Sequence, residues 1–184
     1  LVPEIGLTPQ LTQRFQQRLH TTIAVLHSGM NDRQQYAAWH AAAHRQAKLV
    51  IGTRSSVFTP LPDLGLIIID EEHDGSYKQQ DGFRYNARDL AILRARNKDI
   101  PIMLGSATPS LESWYNARTG KYGLVTLESR YGDSIMPEFI TVDTARERKK
   151  KLMVNEFSSV LRHEIEETLH HHKQSIIFQN RRGY

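Results

Sequence analysis

The stretch LIIIDEEHDGSYKQQDGFRY, residues 66–85, decides how this chain is read. Leu66, Ile67, Ile68 and Ile69 run straight into Asp70, Glu71, Glu72 and His73. The apolar run reads as a buried strand, and ionisable groups crowded at the end of one are costly unless chemistry uses them. A metal ion and a water nucleophile would use them. An aspartate ending a buried strand can hold Mg²⁺, commonly through water, while an adjacent glutamate polarises the water that attacks a γ-phosphate. Asp70 and Glu71 have that arrangement; the alternative for such a pair is a solvated turn.

Working outward, short apolar runs recur at Ile23-Ala24-Val25-Leu26, Leu49-Val50-Ile51, Ile100-Pro101-Ile102-Met103-Leu104 and Ser175-Ile176-Ile177-Phe178, with a shorter one at Phe139-Ile140-Thr141-Val142. Runs that are apolar rather than alternating suit strands covered on both faces, as in parallel sheets. Helical segments lie between them. Thr8 and Pro9 serve as N-cap and first helical residue before LTQRFQQRLH. Residues 31–45 are rich in alanine and glutamine, and residues 86–96 place Ala87, Leu90, Ala91 and Leu93 on one face. Thr108 caps a helix that starts at Pro109, and residues 155–172 form a further helix. The alternation predicts a doubly wound α/β sheet whose ligands sit beyond the carboxyl ends of the strands. Gly52-Thr53-Arg54, Asp70-Glu71-Glu72-His73 and Gly105-Ser106-Ala107-Thr108 each follow a predicted strand directly.

Composition agrees with a globular chain: 39% hydrophobic, 24% charged, and at 184 residues long enough for one large domain or one domain and part of another. The lack of cysteine excludes a disulfide framework or thiolate zinc site within these residues and suits a reducing compartment. No apolar run approaches a membrane span and no charged-then-apolar leader precedes Leu1, so a cytoplasmic location is expected. The formal charge of +4 mildly favours a polyanionic partner. Part of that excess sits in Arg146-Glu147-Arg148-Lys149-Lys150-Lys151, which reads as a solvated linker. Residues 1–135 are expected to form one domain, and residues 136–184 a linker and the beginning of another. The chain opens on a strand end and stops inside an apparent strand and turn, whereas domain boundaries usually fall in exposed linkers; an internal fragment is expected.

The motifs now carry a resemblance. Asp70-Glu71-Glu72-His73 resembles the DExH form of the Walker B motif of superfamily 2 helicases, and Gly105-Ser106-Ala107-Thr108-Pro109 resembles their motif III. LVPEIGLTPQ (residues 1–10) is similar to motif Ia, GTRSSVF (52–58) to motif Ib and FQNRRGY (178–184) to motif IV. Five motifs in order, across essentially the full chain, resemble the primosomal replication-restart helicases. The resemblance implies an α/β fold of the RecA-like, P-loop NTPase type: a truncated parallel sheet flanked by helices, then the start of a second RecA-like domain. It implies an ATP-dependent 3′–5′ DNA helicase that unwinds forks and restarts replication by primosome assembly. ATP and Mg²⁺ would be the cofactors. Single-stranded and forked DNA, primosome proteins and single-strand DNA-binding protein would be the partners, and no membrane is implied.

Carried over residue by residue, the resemblance has Asp70 help bind Mg²⁺ and Glu71 activate water. Glu72 would lie at the site edge, and His73 would relay nucleotide state towards Ser106 and Thr108. On the residues alone, His73 can equally be a histidine satisfied by a local carbonyl. Tyr77, Phe83 and Tyr85, interleaved with Lys78, Arg84 and Arg88, offer stacking faces for bases and cations for phosphates; such a loop can also tuck one aromatic into the core. Gly75 and Gly82 give it freedom to move. In the family an aromatic-rich loop at this place is thought to sense single-stranded DNA. Thr8, Thr53, Arg54, Ser55 and Ser56 would donate to phosphate oxygens, contacts that carry no base sequence. His170-His171-His172 point in different directions on a helix and are read as its solvated end; His27, His40 and His44 are left unassigned.

The chain departs from the family in one respect: no GxxxxGK[ST] phosphate loop occurs in these residues. In the family that loop lies upstream of motif Ia, and the later arginine motifs and zinc-binding cysteines lie downstream of motif IV, so zinc is expected only in those other parts. The isolated piece is expected to hydrolyse ATP poorly or not at all. Two rival readings are a non-enzymatic module binding single-stranded DNA, and a metal-dependent nuclease or phosphohydrolase using the carboxylates with His73.

Overall fold

Most of the apolar runs fold as parallel strands with their polar sequels at the carboxyl ends. The computed structural model describes residues 1–3, 8–129 and 137–179; for residues 8–10 it describes the backbone alone. The remainder of motif Ia (4–7), residues 130–136 and most of motif IV (180–184) lie outside the described residues. In chain order the elements are α1 (Thr8–Leu19), β1 (Ile23–Leu26), α2 (Asp32–Ala43), β2 (Leu49–Gly52), β3 (Ile67–Ile69), β4 (Lys78–Gln79), β5 (Tyr85–Asn86), α3 (Ala87–Lys98), β6 (Ile102–Leu104), α4 (Leu111–Arg118), α5 (Thr144–Lys149) and α6 (Ser159–His170). Short 3₁₀ turns occupy Arg54–Phe58 and Gly75–Tyr77. Contacts divide the chain into two units, Leu1–Val125 and Thr126–Tyr184.

In the first unit β1 pairs in parallel with β2, and β3 with β6. Leu1 and Val2 stitch the two pairs together. The Leu1 amino group donates to Ile68 O (2.6 Å), Asp70 N–H donates to Leu1 O (3.0 Å), and Val2 N–H donates to Gly52 O (3.0 Å). The core gathers Val57, Ile69, Tyr77, Ala87 and Ala91, with Ile67, Ile102 and Leu104 packed against it. Ile68 and Met103, paired in register, stay 46% and 59% exposed. Among the described residues the β3–β6 pair is therefore covered on one face, where the apolar runs had suggested two.

Helix α3 buries most of the expected face, with Ala87 and Ala91 in the core and Leu90 packed against it, but Ala95 takes the place expected for Leu93. Ala87, Ala91 and Ala95 are buried, while Leu93 is 52% exposed. Their spacing of four puts them in one stripe, and small side chains let the helix come close to the strands. Helix α4 is capped by Ser110, whose Oγ accepts from Ser113 N–H, and not by Thr108. Thr108 turns its hydroxyl to His73 instead. Helix α2 is capped by Asn31, in a reciprocal box with Gln34.

In the second unit neither expected strand forms. Residues 139–142 and 175–178 lack regular structure, and Phe139, Ile176 and Phe178 are largely exposed. A lone strand has no partner for its backbone hydrogen bonds, and these runs have no neighbouring strand among the described residues. The basic run belongs in part to α5 and is not simply a linker. Glu147 within it accepts from Ser159 N–H (2.8 Å) and Ser159 Oγ (2.6 Å), tying α5 to the start of α6. Helix α6 starts at Ser159, capped by Ser158, after a bridge between Val154 and Phe157.

Gly52 ends β2 because nothing larger fits. A Cβ there would stand 2.6 Å from Ser56 Oγ and 2.7 Å from Ser56 Cβ, in a turn whose Ser56 is buried. Gly52→Ala is expected to destabilise the chain by about 1–3 kcal/mol, the usual range for overpacking. Urea unfolding monitored by circular dichroism checks this; an unchanged midpoint would show that the Arg54–Phe58 turn yields without cost.

Candidate functional site

Strand β3 delivers Asp70 to its carboxyl end, held by Leu1 on one side and by Gly105 N–H on Ile69 O (2.8 Å) on the other. The chain then turns sharply. Glu71 takes φ +45°, a left-handed conformation that costs a non-glycine residue on the order of 1 kcal/mol. Three hydrogen bonds fix it: Glu71 N–H to Asp70 Oδ1 (3.1 Å), Asp74 N–H to Glu71 O (2.8 Å) and Glu72 N–H to Gly105 O (3.0 Å). The turn leaves Asp70 exposed and the Glu71 side chain half-exposed, and sends Glu72 inward.

Glu72 is not at the edge of the site. It is 3% exposed, and its carboxylate accepts from Ser110 N–H (2.6 Å), Ser110 Oγ (3.1 Å), Ser113 Oγ (2.8 Å) and the Arg88 guanidinium (3.0 Å). Burial alone would raise its pKa; the hydrogen bonds from Ser110, Ser113 and Arg88 outweigh that and hold it below the ordinary glutamate value. Arg88, grouped in the sequence with DNA-binding cations, has a side chain only 11% exposed. It is spent on Glu72, Asp89 and Ser110. Burial opposes its charge, but Asp89 and Glu72 prevail and raise its pKa, so it stays cationic.

His73 reaches the loop after β6. Its Nδ1 lies 2.7 Å from Ser106 Oγ and its Nε2 3.3 Å from Thr108 Oγ1, while Thr108 N–H donates to the same Ser106 Oγ (3.0 Å). Glu71 Oε2 stands 3.6 Å from His73 Nδ1. The structure thus brings Glu71, His73, Ser106 and Thr108 into one connected group beside Asp70.

The loop after this turn divides its aromatics. Tyr77 is buried at 1% exposure and donates its hydroxyl to Asp70 O (2.7 Å), so it offers no stacking face. Burial raises its pKa, and the carboxylates of Asp70, Asp74 and Glu71 add to the effect, so the hydroxyl remains a donor. Phe83 is 77% exposed; Tyr85 is half-buried, 5.9 Å from the Phe83 ring and edge-on to Phe58 at 5.0 Å. Lys78 and Arg84 are exposed beside them. Among the motif Ib residues, Ser55 is exposed, and Thr53 O accepts from Ser56 N–H (2.9 Å). Ser56 is buried and donates its hydroxyl to Thr53 O, and Arg54 is committed to Ser76 O (3.1 Å) and Lys78 O (2.9 Å). The side chain of Thr8 lies outside the described residues.

Three residues that position the site were not singled out in the sequence. Ser110 and Ser113 are the hydroxyl partners of Glu72, and Arg94 bonds Val57 O and Thr59 O (2.7 Å to the latter), clamping α3 to the Arg54–Phe58 turn. Burial lowers the Arg94 pKa. Their signal is faint: serines at a helix start, and an arginine among others in a basic helix.

The chain belongs to the DEAD/DEAH box helicases, whose family model matches residues 1–116. With that membership comes the RecA-like α/β fold expected from the motifs. At closer range the chain is similar to the replication restart protein PriA of several bacteria. It is 44% identical to that of Bacillus subtilis and 47% identical to that of Haemophilus influenzae over 184 residues, all of this chain but 23% and 25% of those proteins. The Rickettsia felis protein is 43% identical over 185 residues, with 28% of its length matched. The chain spans about a quarter of the length of the curated relatives it matches.

Removing one partner of a buried, hydrogen-bonded ion pair costs about 3–5 kcal/mol, so Glu72→Ala is expected to lower unfolding stability by about that much, measured by urea titration at neutral pH. A loss under about 1 kcal/mol, the scale of an exposed pair, would mean that the pair adds nothing special. Because the folded pKa of Glu72 is depressed, its contribution is present above the unfolded value, about 4.3, and is lost as pH falls through the lower folded value. Wild-type stability is expected to fall more steeply below about pH 4.3 than that of Glu72→Gln, read from melting temperatures across an acid series; parallel curves would refute the assignment.

Proposed function

We propose that this chain is the water-activating and strand-sensing part of an ATP-driven DNA helicase that acts in replication restart. The observation that carries the reading is His73 lodged between Ser106 and Thr108, two residues after Glu71. A histidine so held links the carboxylates that would face a γ-phosphate to the next strand's loop. A change at either end is then felt at the other.

Residues for Mg²⁺ are present. Asp70 is exposed at a strand end, and its Oδ1 accepts only a backbone N–H in the hydrogen bonds described. Among the described residues no group of three acidic, histidine or cysteine side chains is placed to hold a metal ion by itself. That donor set fits Mg²⁺, which keeps several waters and is held by one or two carboxylates plus substrate phosphates. Bound there, the ion would supply charge neutralisation for the leaving phosphates. Glu71 would orient and deprotonate the attacking water, and His73 would hold the position of Ser106 and Thr108. Phe83, Tyr85, Lys78 and Arg84 form the exposed surface for single-stranded DNA, with Ser55 and Thr53 towards the phosphate backbone. Tyr77, Arg54 and Arg88 position that surface without touching the strand.

On this reading residues 1–135 form most of the first RecA-like domain and residues 136–184 a linker and the beginning of a second. The whole protein would translocate 3′–5′ on single-stranded and forked DNA in the cytoplasm, with primosome proteins and single-strand DNA-binding protein as partners. Among the described residues no helix is long and apolar enough to cross a membrane.

Two outcomes test the proposal. The 184-residue chain, which has no GxxxxGK[ST] sequence, is expected to show no DNA-stimulated phosphate release; clear turnover by the pure chain would overturn that part. In the longer natural protein, Glu71→Gln is expected to reduce ATP hydrolysis at least about 100-fold, the lower range for loss of a general base, with nucleotide binding retained by filter assay. Hydrolysis close to wild type would remove Glu71 from the role.

A further inference from the structure

A groove of about 470 Å³ lies at the carboxyl ends of β1 and β2, outside the carboxylate site. Its walls include Tyr36, Trp39 and Phe58, and its polar lining includes His27, Ser28 and Ser55. The three rings are 65%, 46% and 53% exposed, so their faces are open to solvent and not consumed by the core. No carboxylate lines the groove. Flat aromatic walls with hydroxyl and imidazole groups at the rim suit a planar group with hydrogen-bonding edges, in a volume typical of small-ligand clefts.

The groove connects to the exposed loop through rings in contact. Phe58 meets Tyr85 edge-on at 5.0 Å, and Tyr85 meets Phe83 at 5.9 Å. Tyr85 in turn lines a neighbouring cleft with Lys78, Arg84 and Asp81, whose two cations outnumber its one carboxylate and leave net positive charge for phosphates. The three features form a series: exposed ring, cationic cleft, aromatic groove. A single strand of nucleic acid matches it, because it carries a flat base and a negative phosphate in every unit.

We propose that the groove of Tyr36, Trp39 and Phe58 receives a nucleobase of a single strand whose neighbouring units lie along Tyr85 and Phe83. The inference rests on the strand-binding reading above and adds a base-holding subsite to it. Stacking is indifferent to base identity, so the subsite grips any base and contributes affinity, not sequence preference.

Trp39 reports its own occupancy. The chain has two tryptophans, and Trp114 is replaced conservatively as Trp114→Phe so that emission comes from Trp39 alone. Titration with an oligothymidylate is expected to quench that emission, whereas an abasic deoxyribose-phosphate oligomer of equal length is expected to bind with little change. By fluorescence anisotropy of end-labelled oligomers, Trp39→Leu is expected to weaken oligothymidylate binding about tenfold, in line with the loss of one stacked base. Abasic binding should be unaltered and Trp39→Phe should restore most of the loss. Oligothymidylate binding without quenching, and with no effect of Trp39→Leu, would overturn the subsite and leave the strand-binding reading standing. Failure of both oligomers to bind would overturn the strand-binding reading, and the subsite with it.

Discussion

The buried carboxylate of Glu72 is the constraint on which the rest of the site depends. It accepts hydrogen bonds from the first turn of α4 and from Arg88 at the start of α3, so one side chain joins the turn after β3 to both helices. An unpartnered carboxylate in that position would be expelled or protonated. Four hydrogen bonds from three residues make the burial tolerable. Once Glu72 is fixed inward, its neighbours have little choice: Asp70 and Glu71 precede it on the outer side, and His73 follows towards Ser106.

The loop between that turn and α3 is anchored at two points that share the same ends. Tyr77 donates to Asp70 O from within the core, and Arg54, from the turn after β2, donates to Ser76 O and Lys78 O. The exposed ring of Phe83 and the half-buried ring of Tyr85 follow a segment that is bonded directly to the backbone of the Mg²⁺-binding candidate. A displacement of the loop strains either the Tyr77 or the Arg54 contacts. Those hydrogen bonds tie residues 76–78 to the backbone at Asp70 and to the turn after β2.

Much of this was legible in the sequence, and what was not has identifiable causes. Apolar runs at Ile23, Leu49, Ile67 and Ile102 marked the parallel strands, although burial along β3 and β6 alternates and leaves Ile68 and Met103 exposed. The link from His73 to Ser106 and Thr108 could be anticipated only through the motif resemblance, since the residues lie 33 and 35 positions apart. Tyr77, Arg88 and Arg54, grouped in the sequence with DNA-binding residues, bond to the protein's own backbone or to Glu72 instead, for a common reason. Aromatic and cationic types look alike whether they face a ligand or brace a backbone, and only tertiary partners decide. The expected strands near Phe139 and Ile176 failed differently: strand propensity is realised only when a neighbouring strand takes the backbone hydrogen bonds.

Glu71 and Glu72 show how far position outweighs chemistry. They are the same residue type, adjacent, at the end of one strand, and yet one is half-exposed and the other almost wholly buried. The left-handed backbone at Glu71 separates their directions, which an extended pair would also do, but it additionally folds the chain back so that Glu72 N–H meets Gly105 O. That bond brings the loop after β6 against the turn, and the same loop supplies Ser106 to His73 and leads into Ser110 for Glu72. The strain at one residue is thus offset by contacts that its neighbours make. A carboxylate left accessible at the surface and a carboxylate buried as a structural anchor are two outcomes of a single turn.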